Sequence, residues 1–549
     1  MMAKVVAFSL GLFVVAAGSL VAQNPPDTTR TNEAARIKGV LIEPSDVFPP
    51  EEATWLIPRL MNGLHVTTRP GTIRRELLLR PGELFDSAKA AESERNLRFL
   101  RVFRMAKVDS VRSDSGLLLR ATTRDAFSIV PFVSIGGSLT DLDWGLGLAE
   151  FNVLGTAARA SARYRHTTFR DAVNLSVQRD RLFDGRVGVA ALYDWRTDGR
   201  QVYGVVSLPY LSFSARSSWY LSAEDRDERV LQFRNGVSNL AAVNLQHRYS
   251  LGRVGVGRAL TASAAGYVHV GIDGQLRRDD YAVRSRLDSL GQTVAGRLDT
   301  LGNTVTGALT AYVQWRSAKF LVSKGFQGFG REEDVDLSTV VGFGLGLTPK
   351  AFGYPDNGIV PNLGARVGLG WAGGFATLSG SVLGRIRESG SVDSGSASLS
   401  GLLVLKQGRR HITVLHAARG WQKNPAPGAE FEFGKVFGPR GFDNHAFTGN
   451  QAFLLTGEYR YLLTDRFLRS AALGLAGFAD YGGAWFAGSP KRTGYSVGVG
   501  VRFGFTVTTD ISPARLDLVY FKGSGLEKGR WGVRAGKGFI FGTNGRLDR

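Results

Sequence analysis

Cysteine is absent from all 549 residues of this chain. Its absence excludes thiol catalysis, cysteine-ligated metal sites and a small fold held together by disulfides. Beyond residue 23 the chain also lacks any run of about 18 uninterrupted apolar residues, so no helix there can span a bilayer. If the protein is embedded in a membrane, the remaining solution is a closed ring of strands, which satisfies every backbone group within lipid.

Proline is ordinary at 18 residues, whereas glycine reaches 70. Abundant glycine without proline argues against collagen-like and linker sequences. A content of 43% hydrophobic residues excludes a disordered chain. The composition favours many short strands that are joined by turns and packed around a crowded interior.

The first residues are typical of an exported protein. Lys4 supplies a short positive start, Val5 to Val15 form an apolar core, and small residues lead to a cleavage site near Ala22. This order predicts a secretory signal peptide at residues 1–22, with a buried helix of the folded protein as the alternative. Residues 23–61 are predicted to be a leader or linker. For an exported chain, the net charge of +20 favours anionic lipid headgroups over nucleic acid, and outer-membrane lipid and lipopolysaccharide are the expected partners. The alternative is that the charge only keeps the chain soluble by repulsion.

Residues 62–125 differ in pattern from the rest of the chain. Alternation over Leu64, Val66 and Thr68 predicts a strand, which is followed by two helices and two further strands. The helices are predicted at Thr72–Leu79 and Ser87–Leu100, and the later strands at Val102–Val111 and Leu117–Thr123. The order strand, helix, helix, strand, strand predicts a compact α/β unit of about 65 residues.

From residue 126 to 549 apolar residues alternate with small or polar ones. In Val497–Phe505 (VGVGVRFGF) the valines and phenylalanines point to one side, and the glycines and Arg502 to the other. The apolar side is either the core of a soluble sandwich or the lipid face of a barrel. We expect a transmembrane antiparallel β-barrel, and about 25 residues per strand predicts about 16 strands. An eleven-residue tandem at 286–307 is expected to be a long extracellular loop or a hairpin extension.

One stretch, from Gly434 to Tyr461, carries a candidate site. Two glycines and a proline make a sharp turn around Arg440, and a strand follows. If the tyrosines of that strand face lipid, Glu458 faces the lumen, and the same alternation places Asp480 and Gly482 inward on the next strand. A loop folded back into the barrel could bring Arg440 against these carboxylates in charge-assisted hydrogen bonds. The alternative is an arginine in an ordinary exposed turn.

Residues 62–125 resemble a POTRA domain. Pro81-Gly82 lies between the two predicted helices, Asn96-Leu97 ends the second helix, and Phe103 opens the next strand. The resemblance implies a periplasmic domain that binds a polypeptide client or partner by adding a strand to its sheet edge.

The barrel segment is similar to the BamA/TamA-type bacterial surface antigen superfamily. Arg440-Gly441-Phe442 looks like its Arg-Gly-Phe/Tyr motif on an inward-folded loop, and Glu458 lies on a strand like its Glu-x-Arg strand. Phe478-Ala-Asp480-Tyr-Gly482 resembles its Phe-x-Asp-x-Gly strand, and Glu150–Thr156 resembles its first-hairpin Asn-Leu-x-Gly signature. The resemblance implies that a clamp of Arg440 with Glu458, Asp480 and Gly482 anchors the loop and helps the barrel fold. This chain has one POTRA-like unit, where the main barrel-assembly protein has several.

Motifs of enzymes are missing from the sequence. There is no HExxH, no P-loop and no Gly-x-Ser-x-Gly elbow, so we expect neither a catalytic residue nor a metal or cofactor. The leading hypothesis is an outer-membrane barrel for assembly, insertion or translocation of polypeptides, with its N-terminal domain in the periplasm. The alternative is a passive pore or structural surface barrel without a client. A lumenal enzyme of the outer-membrane lipase kind is a third hypothesis, disfavoured because no nucleophile–base pair is recognisable.

Overall fold

The computed structural model describes residues 36–538 apart from 115, 139–140, 168, 183–186, 234–240, 284–302, 330–331, 427, 435–436, 468 and 511. The predicted signal peptide (1–22) and most of the predicted tandem loop therefore lie outside the described residues. The last residues of that tandem, 304–307, begin a long barrel strand, which agrees with a hairpin extension at this end of the tandem.

The N-terminal unit is a three-stranded sheet covered by helices. Its strands are β1 (Ile37–Ser45), β2 (Phe103–Ser113) and β3 (Gly116–Asp125), and its helices are α1 (Leu56–Leu64), α2 (Pro70–Arg74) and α3 (Ser87–Phe99). β3 is the central strand, parallel to β1 and antiparallel to β2. Asp86 caps the start of helix α3, because its carboxylate accepts hydrogen bonds from the backbone N–H groups of Ala88 and Lys89. Ile37, Ile73, Leu97 and Leu119 form the centre of its core.

Three predictions for this unit differ from the structure. Residues 37–45, assigned to a leader, form β1, which the sheet needs as its second edge. Its sequence Val40-Leu41-Ile42 is apolar without alternation, and the register shifts between Ile37 and Gly39, so the period of two is obscured. The strand predicted around Leu64 is instead the end of helix α1. The helix predicted at Thr72–Leu79 is a shorter helix, α2, which starts at Pro70.

Within the described residues, twenty of the remaining strands form one closed antiparallel barrel in which β27 lies next to β4. Two small sheets, β14–β15 and β21–β22, are separate from it. The strands, numbered in chain order, are β4 (Ile129–Ser138), β5 (Asp141–Val153), β6 (Ala158–Thr167), β7 (Arg170–Leu182), β8 (Val187–Arg196), β9 (Gly199–Leu208), β10 (Ser217–Phe233), β11 (Ala241–Ser263), β12 (Gly266–Val283), β13 (Thr304–Ser317), β14 (Phe320–Lys324), β15 (Glu332–Asp336), β16 (Thr339–Thr348), β17 (Gly358–Trp371), β18 (Gly374–Arg387), β19 (Val392–Gln407), β20 (His411–Lys423), β21 (Phe431–Phe433), β22 (Phe447–Gly449), β23 (Gln451–Phe467), β24 (Ala471–Trp485), β25 (Gly494–Phe505), β26 (Ala514–Gly523) and β27 (Leu526–Lys537).

The prediction of about 16 strands was therefore too low. Many hairpin turns are short, so each strand with its share of turns uses nearer to about 21 residues than the typical value of about 25. Strand β4 starts beside the N-terminal unit, and we call that end of the barrel proximal and the other end distal. Because successive strands alternate in direction, the β14–β15 connection is proximal and the loop between β20 and β23 is distal.

The two faces of the barrel wall differ as the alternation predicted. Val497, Val499 and Val501 of β25 are exposed on the outside, whereas Arg502 is fully buried on the inside. Large exposed apolar side chains cover the outer surface on many other strands as well. Such an apolar exterior around a polar interior suits a wall in contact with lipid.

Candidate functional site

The distal loop (residues 424–450) folds back into the barrel. Its short sheet, β21–β22, and Phe442 belong to one buried aromatic cluster with Phe478 of β24 and Phe521 of β26. Gly438 and Gly441 have φ angles of 100° and 99°, which residues with side chains rarely adopt, and so turn the chain sharply on either side of Arg440. This turn aims the Arg440 side chain at the inner wall.

The structure brings Arg440, Glu458 and Asp480 into direct contact. The guanidinium donates from Nε to Asp480 Oδ2 at 2.7 Å and from Nη2 to Asp480 Oδ1 at 2.8 Å, a paired geometry. Its Nη1 donates to Glu458 Oε2 at 2.8 Å, and the backbone N–H of Arg440 also donates to Asp480. The guanidinium lies 3.5 Å from the centre of the Phe478 ring, in a cation–π contact. All three charged residues are at most 5% exposed.

The charge cluster extends further than the sequence indicated. Glu458 also accepts from Arg460 at 2.8 Å and from Arg502 at 3.1 Å, and Arg502 pairs with the buried Asp517 of β26. Arg515 lies at the edge of this group, with its Nη1 3.5 Å from Asp517 Oδ2, so each buried carboxylate has at least one cationic partner that offsets the cost of burying its charge. Inward alternation already placed Arg502 in the lumen, but which carboxylate it meets depends on how four strands align. We call these six residues (Arg440, Glu458, Arg460, Asp480, Arg502 and Asp517) the charge cluster.

Phe442, Gly441 and Gly482 contribute to the packing of the distal loop against the barrel wall. Phe442 stands edge-on to Phe447 and Phe521, with ring centres 4.9 and 5.2 Å apart. A Cβ on Gly441 would lie 2.4 Å from the Phe521 ring, so no larger residue fits there. Gly482 was predicted as a clamp partner, but the described contacts include no bond from it to Arg440. It pairs with Gly494, where a Cβ would lie 2.4 Å from Phe442, so this glycine pair leaves room for the loop.

A second segment, which the sequence did not reveal, enters the barrel from the other end. The proximal hairpin (residues 318–338, containing β14 and β15) packs Phe326 and Leu337 against inward side chains of β18, β19 and β20. Phe326 stands edge-on to Phe375 at 5.0 Å. Its backbone oxygen accepts a hydrogen bond from Arg460 Nη1 at 2.7 Å. Arg460 therefore connects the distal loop, through Glu458, with the proximal hairpin.

The proximal hairpin is also tied to helix α3 of the N-terminal unit. Arg98 donates to Asp334 from Nε at 2.6 Å and from Nη2 at 2.8 Å, and Arg95 lies over the Phe320 ring. On the same helix, Glu92 accepts from the backbone N–H of Phe213 in the β9–β10 turn at 2.7 Å. Burial raises the pKa of the Glu92 carboxyl above its ordinary value, against the lowering effect of that bond. Helix α3 thus lies against the proximal mouth of the barrel.

The segment Glu150–Thr156 is the point where the N-terminal unit joins the wall. Asn152 donates from its side chain to Val66 O at 3.1 Å and to Thr68 Oγ1 at 2.9 Å. The oxygen of Gly155 accepts from the backbone N–H of Arg69 at 2.9 Å, and the glycine has a φ of 72°. On the neighbouring strand β7, Arg181 donates to the buried Glu76. This turn therefore fixes the unit to the first hairpins of the barrel.

Part of the lumen stays open. On the side away from the charge cluster, a cavity of about 650 Å³ is lined by residues of β12, β13, β16 and β17, with the proximal hairpin at its edge. Asp273, Tyr312, Arg316 and Arg366 are among its lining residues.

Possible metal-binding side chains are not grouped in the described part of the chain. Within those residues no group of three or more histidine, aspartate or glutamate side chains is placed to hold a metal ion. His411 and His416 lie on β20 and face opposite sides of the wall. None of the described helices is long and apolar enough to cross a membrane.

No protein-family model matches the chain, and no curated protein matches it either. Similar solved structures include CdiB from Escherichia coli, with 9% identity, 96% of this chain and 95% of that chain covered, and a TM-score of 0.47. CdiB from Acinetobacter baumannii has 13% identity, coverages of 92% and 73%, and a TM-score of 0.44. BamA from Haemophilus ducreyi lacking POTRA domains 1-3 has 12% identity, coverages of 92% and 85%, and a TM-score of 0.38.

These solved structures include BamA and CdiB barrels, the type of barrel that the motifs of this chain resemble. At these identities the likeness is one of shape. What this chain does must follow from its own contacts.

Proposed function

We propose that this chain is an outer-membrane barrel that assembles, inserts or translocates polypeptides, and that its N-terminal unit is a POTRA-like periplasmic domain. In this proposal the proximal end faces the periplasm and the distal end faces outward. The apolar outer wall contacts outer-membrane lipid, and the excess of basic residues favours contact with the phosphates of lipopolysaccharide at the distal rim.

The observation that carries the proposal is a lumen occupied by one segment from each end, with the two segments linked through the wall strand β23. Arg440 of the distal loop donates to Glu458, Arg460 donates to the same Glu458, and Arg460 also donates to Phe326 of the proximal hairpin. A passive pore has no need of two anchored segments in its lumen. A barrel that must keep its wall in register while a client polypeptide is handled beside or through it does need internal bracing.

The N-terminal unit offers sheet edges for a client. The outer edge of β2 is partly occupied, because the N–H of Val108 donates to Glu94 Oε2 at 3.0 Å. On the outer edge of β1, the first residue, Ile37, donates its backbone N–H to the backbone oxygen of Glu83. The later part of β1, around the exposed Leu41, is therefore the better place for an extended segment to add as a strand.

The test is photo-crosslinking in cells. A photoreactive amino acid at Leu41 of β1 should capture polypeptides, and one at Lys107 of β2 should capture fewer. A probe at Ser389, in the exposed distal turn after β18, is the matched control and should capture none of the same species. If Leu41 and Ser389 gave the same products, or neither gave any, the unit would not bind a client in this way.

The cavity of about 650 Å³ beside the proximal hairpin favours one other candidate, a narrow passive pore. Planar-bilayer recording separates the two. A pore predicts large, steady conductance, whereas a barrel filled by the distal loop and the proximal hairpin predicts small or erratic conductance. Steady conductance of the unaltered protein would count against the assembly proposal.

A further inference from the structure

Helix α1 carries an exposed apolar stripe that the fold of the N-terminal unit does not use. Leu56, Ile57, Leu60 and Leu64 lie within about a third of a turn of one another on a helix of 100° per residue. They are 76%, 47%, 55% and 55% exposed, respectively. Among the nine residues of this helix, Arg59 is the single charged one, and it lies beside the stripe rather than within it.

The opposite side of α1 is fixed to the protein. Pro58 is buried, and Met61 packs on a small cluster of Val47, Phe48 and Val507. The side chain of Asn62 accepts from the N–H of Phe48 at 3.1 Å and donates to its backbone oxygen at 2.8 Å. These contacts set the rotation of the helix, so the apolar stripe cannot turn inward.

The position of α1 is the foot of the barrel wall. Val507 belongs to the proximal turn between β25 and β26, and its oxygen accepts from the N–H of Phe127, just before β4. Immediately after α1, His65 Nδ1 lies 3.2 Å from Ser128 Oγ. Above this point β4 presents Val133 and Ile135 outward, at 57% and 58% exposure, on the apolar outer wall.

The apolar surface continues from the helix along the first hairpin. Val66 and Leu154 are 49% and 64% exposed, and the Asn152 contacts hold the two segments together. The stripe therefore adjoins the lipid-facing wall at its proximal border. A helix there would lie in the plane of the membrane surface with its apolar side down, as interfacial helices do, and Trp55 stands at its start.

We propose that helix α1 is a membrane-surface anchor that lies on the periplasmic leaflet of the outer membrane, at the foot of β4 and β25. Its apolar stripe contacts acyl chains, and Arg59 reaches the anionic phosphates. A lipid occupant fits better than a protein one, because the stripe is uniformly apolar and continues the outer wall. The inference depends on the barrel spanning a membrane but not on its handling polypeptides.

Single cysteines provide the test, because the natural chain has none to compete. The full-length Leu60→Cys variant, labelled with an environment-sensitive fluorophore, is placed in vesicles of phosphatidylethanolamine and phosphatidylglycerol with and without a spin-labelled lipid quencher. Lys107→Cys is the matched control, because Lys107 is exposed on the sheet of the same unit. We expect several-fold stronger quenching at Leu60 than at Lys107, with blue-shifted emission at Leu60.

Three results would overturn the inference. Equal, weak quenching at both positions would place the stripe in water. Blue-shifted emission at Leu60 without quenching by lipid would mean that the stripe packs on protein. If the label at position 60 showed blue-shifted emission only after a periplasmic extract was added, the stripe would be a protein-binding surface. Correct folding of each variant is checked by its heat-dependent mobility on gels.

Discussion

Replacing Arg440 by alanine is the perturbation that bears most directly on the charge cluster. The change removes three side-chain hydrogen bonds, two to Asp480 and one to Glu458, and the cation–π contact with Phe478. Glu458 keeps two cationic partners, Arg460 and Arg502. Asp480 keeps the hydroxyl of Ser496 and the backbone N–H of residue 440, neither of which is a cation.

The expected loss follows from this imbalance. Removing one partner of a buried ion pair costs about 3–5 kcal/mol, because the other charge is left buried and uncompensated. The main penalty falls on Asp480, which is 3% exposed. The double variant Arg440→Ala with Asp480→Asn should therefore recover part of the loss, about 1–2 kcal/mol, since no orphan charge remains.

The assay is unfolding of the barrel, followed by its mobility shift on semi-native gels in urea. Arg530→Ala is the matched control, because Arg530 contacts Asp443 of the same loop at 3.2 Å, with both side chains about half exposed. An exposed pair of this kind contributes about 0–1 kcal/mol. Equal urea midpoints for Arg440→Ala, Arg530→Ala and the unaltered protein would refute the role given to the charge cluster.

Three further predictions address the distal loop and the proximal hairpin. Gly441→Ala should weaken the packing of the distal loop by about 1–3 kcal/mol, because the φ of Gly441 is 99° and the added Cβ would lie 2.4 Å from an aromatic carbon of Phe521. The control is Gly477→Ala, where a Cβ meets nothing within 4 Å, and this variant should leave the gel shift unchanged. Burial raises the pKa of Glu430 from 4.5 to about 7, so its protonated form is favoured in the packed loop. Packing of the distal loop should be firmest below pH 4.5, weaken as the pH rises towards 7 and stay weaker above it. Hydrogen exchange of the loop, corrected for intrinsic rates, should show this trend. The Glu430→Gln variant should abolish the pH dependence. Arg98→Ala removes the paired bond to Asp334 and should loosen the proximal hairpin, increasing current fluctuations in planar bilayers; currents identical to those of the unaltered protein would contradict this.

Period-two alternation was enough to predict the two faces of the wall. In Val497–Phe505 every second residue is apolar, and the structure exposes four of these five residues, half-buries Phe503 and buries Arg502. The same rule places Glu458 and Asp480 inward, because each lies at an even spacing from other inward residues of its strand. The motif around Arg440 then identified the loop residue that meets them.

Other features depend on alignments that a single strand does not encode. Arg460 and Phe326 are 134 positions apart, and their hydrogen bond requires a proximal hairpin whose strands are five residues each. Strands this short, joined by an irregular segment, have no distinctive alternation in the sequence. β1 was missed for a related reason, because three consecutive apolar residues hide its period.

Helix α1 was missed because Leu64, Val66 and Thr68 alternate as a strand would, although Leu64 ends the helix. Its stripe spans spacings of one, four and eight residues, which stand out only when residues 56–64 are taken together as a helix. The assignment of 23–61 to a leader prevented that. The strand count failed for a simpler reason, since it depended on an assumed average of turn lengths.

The central claim, that the protein serves the assembly or translocation of polypeptides, is tested most directly by depleting it from its own cells. The measurement is quantitative proteomics of the outer membrane and the culture medium, with unaltered and Arg440→Ala proteins restored from a plasmid. The account predicts that a defined set of outer-membrane or secreted proteins falls on depletion, and that the unaltered protein restores the set more fully than the variant. Unchanged levels of all these proteins on depletion would contradict it.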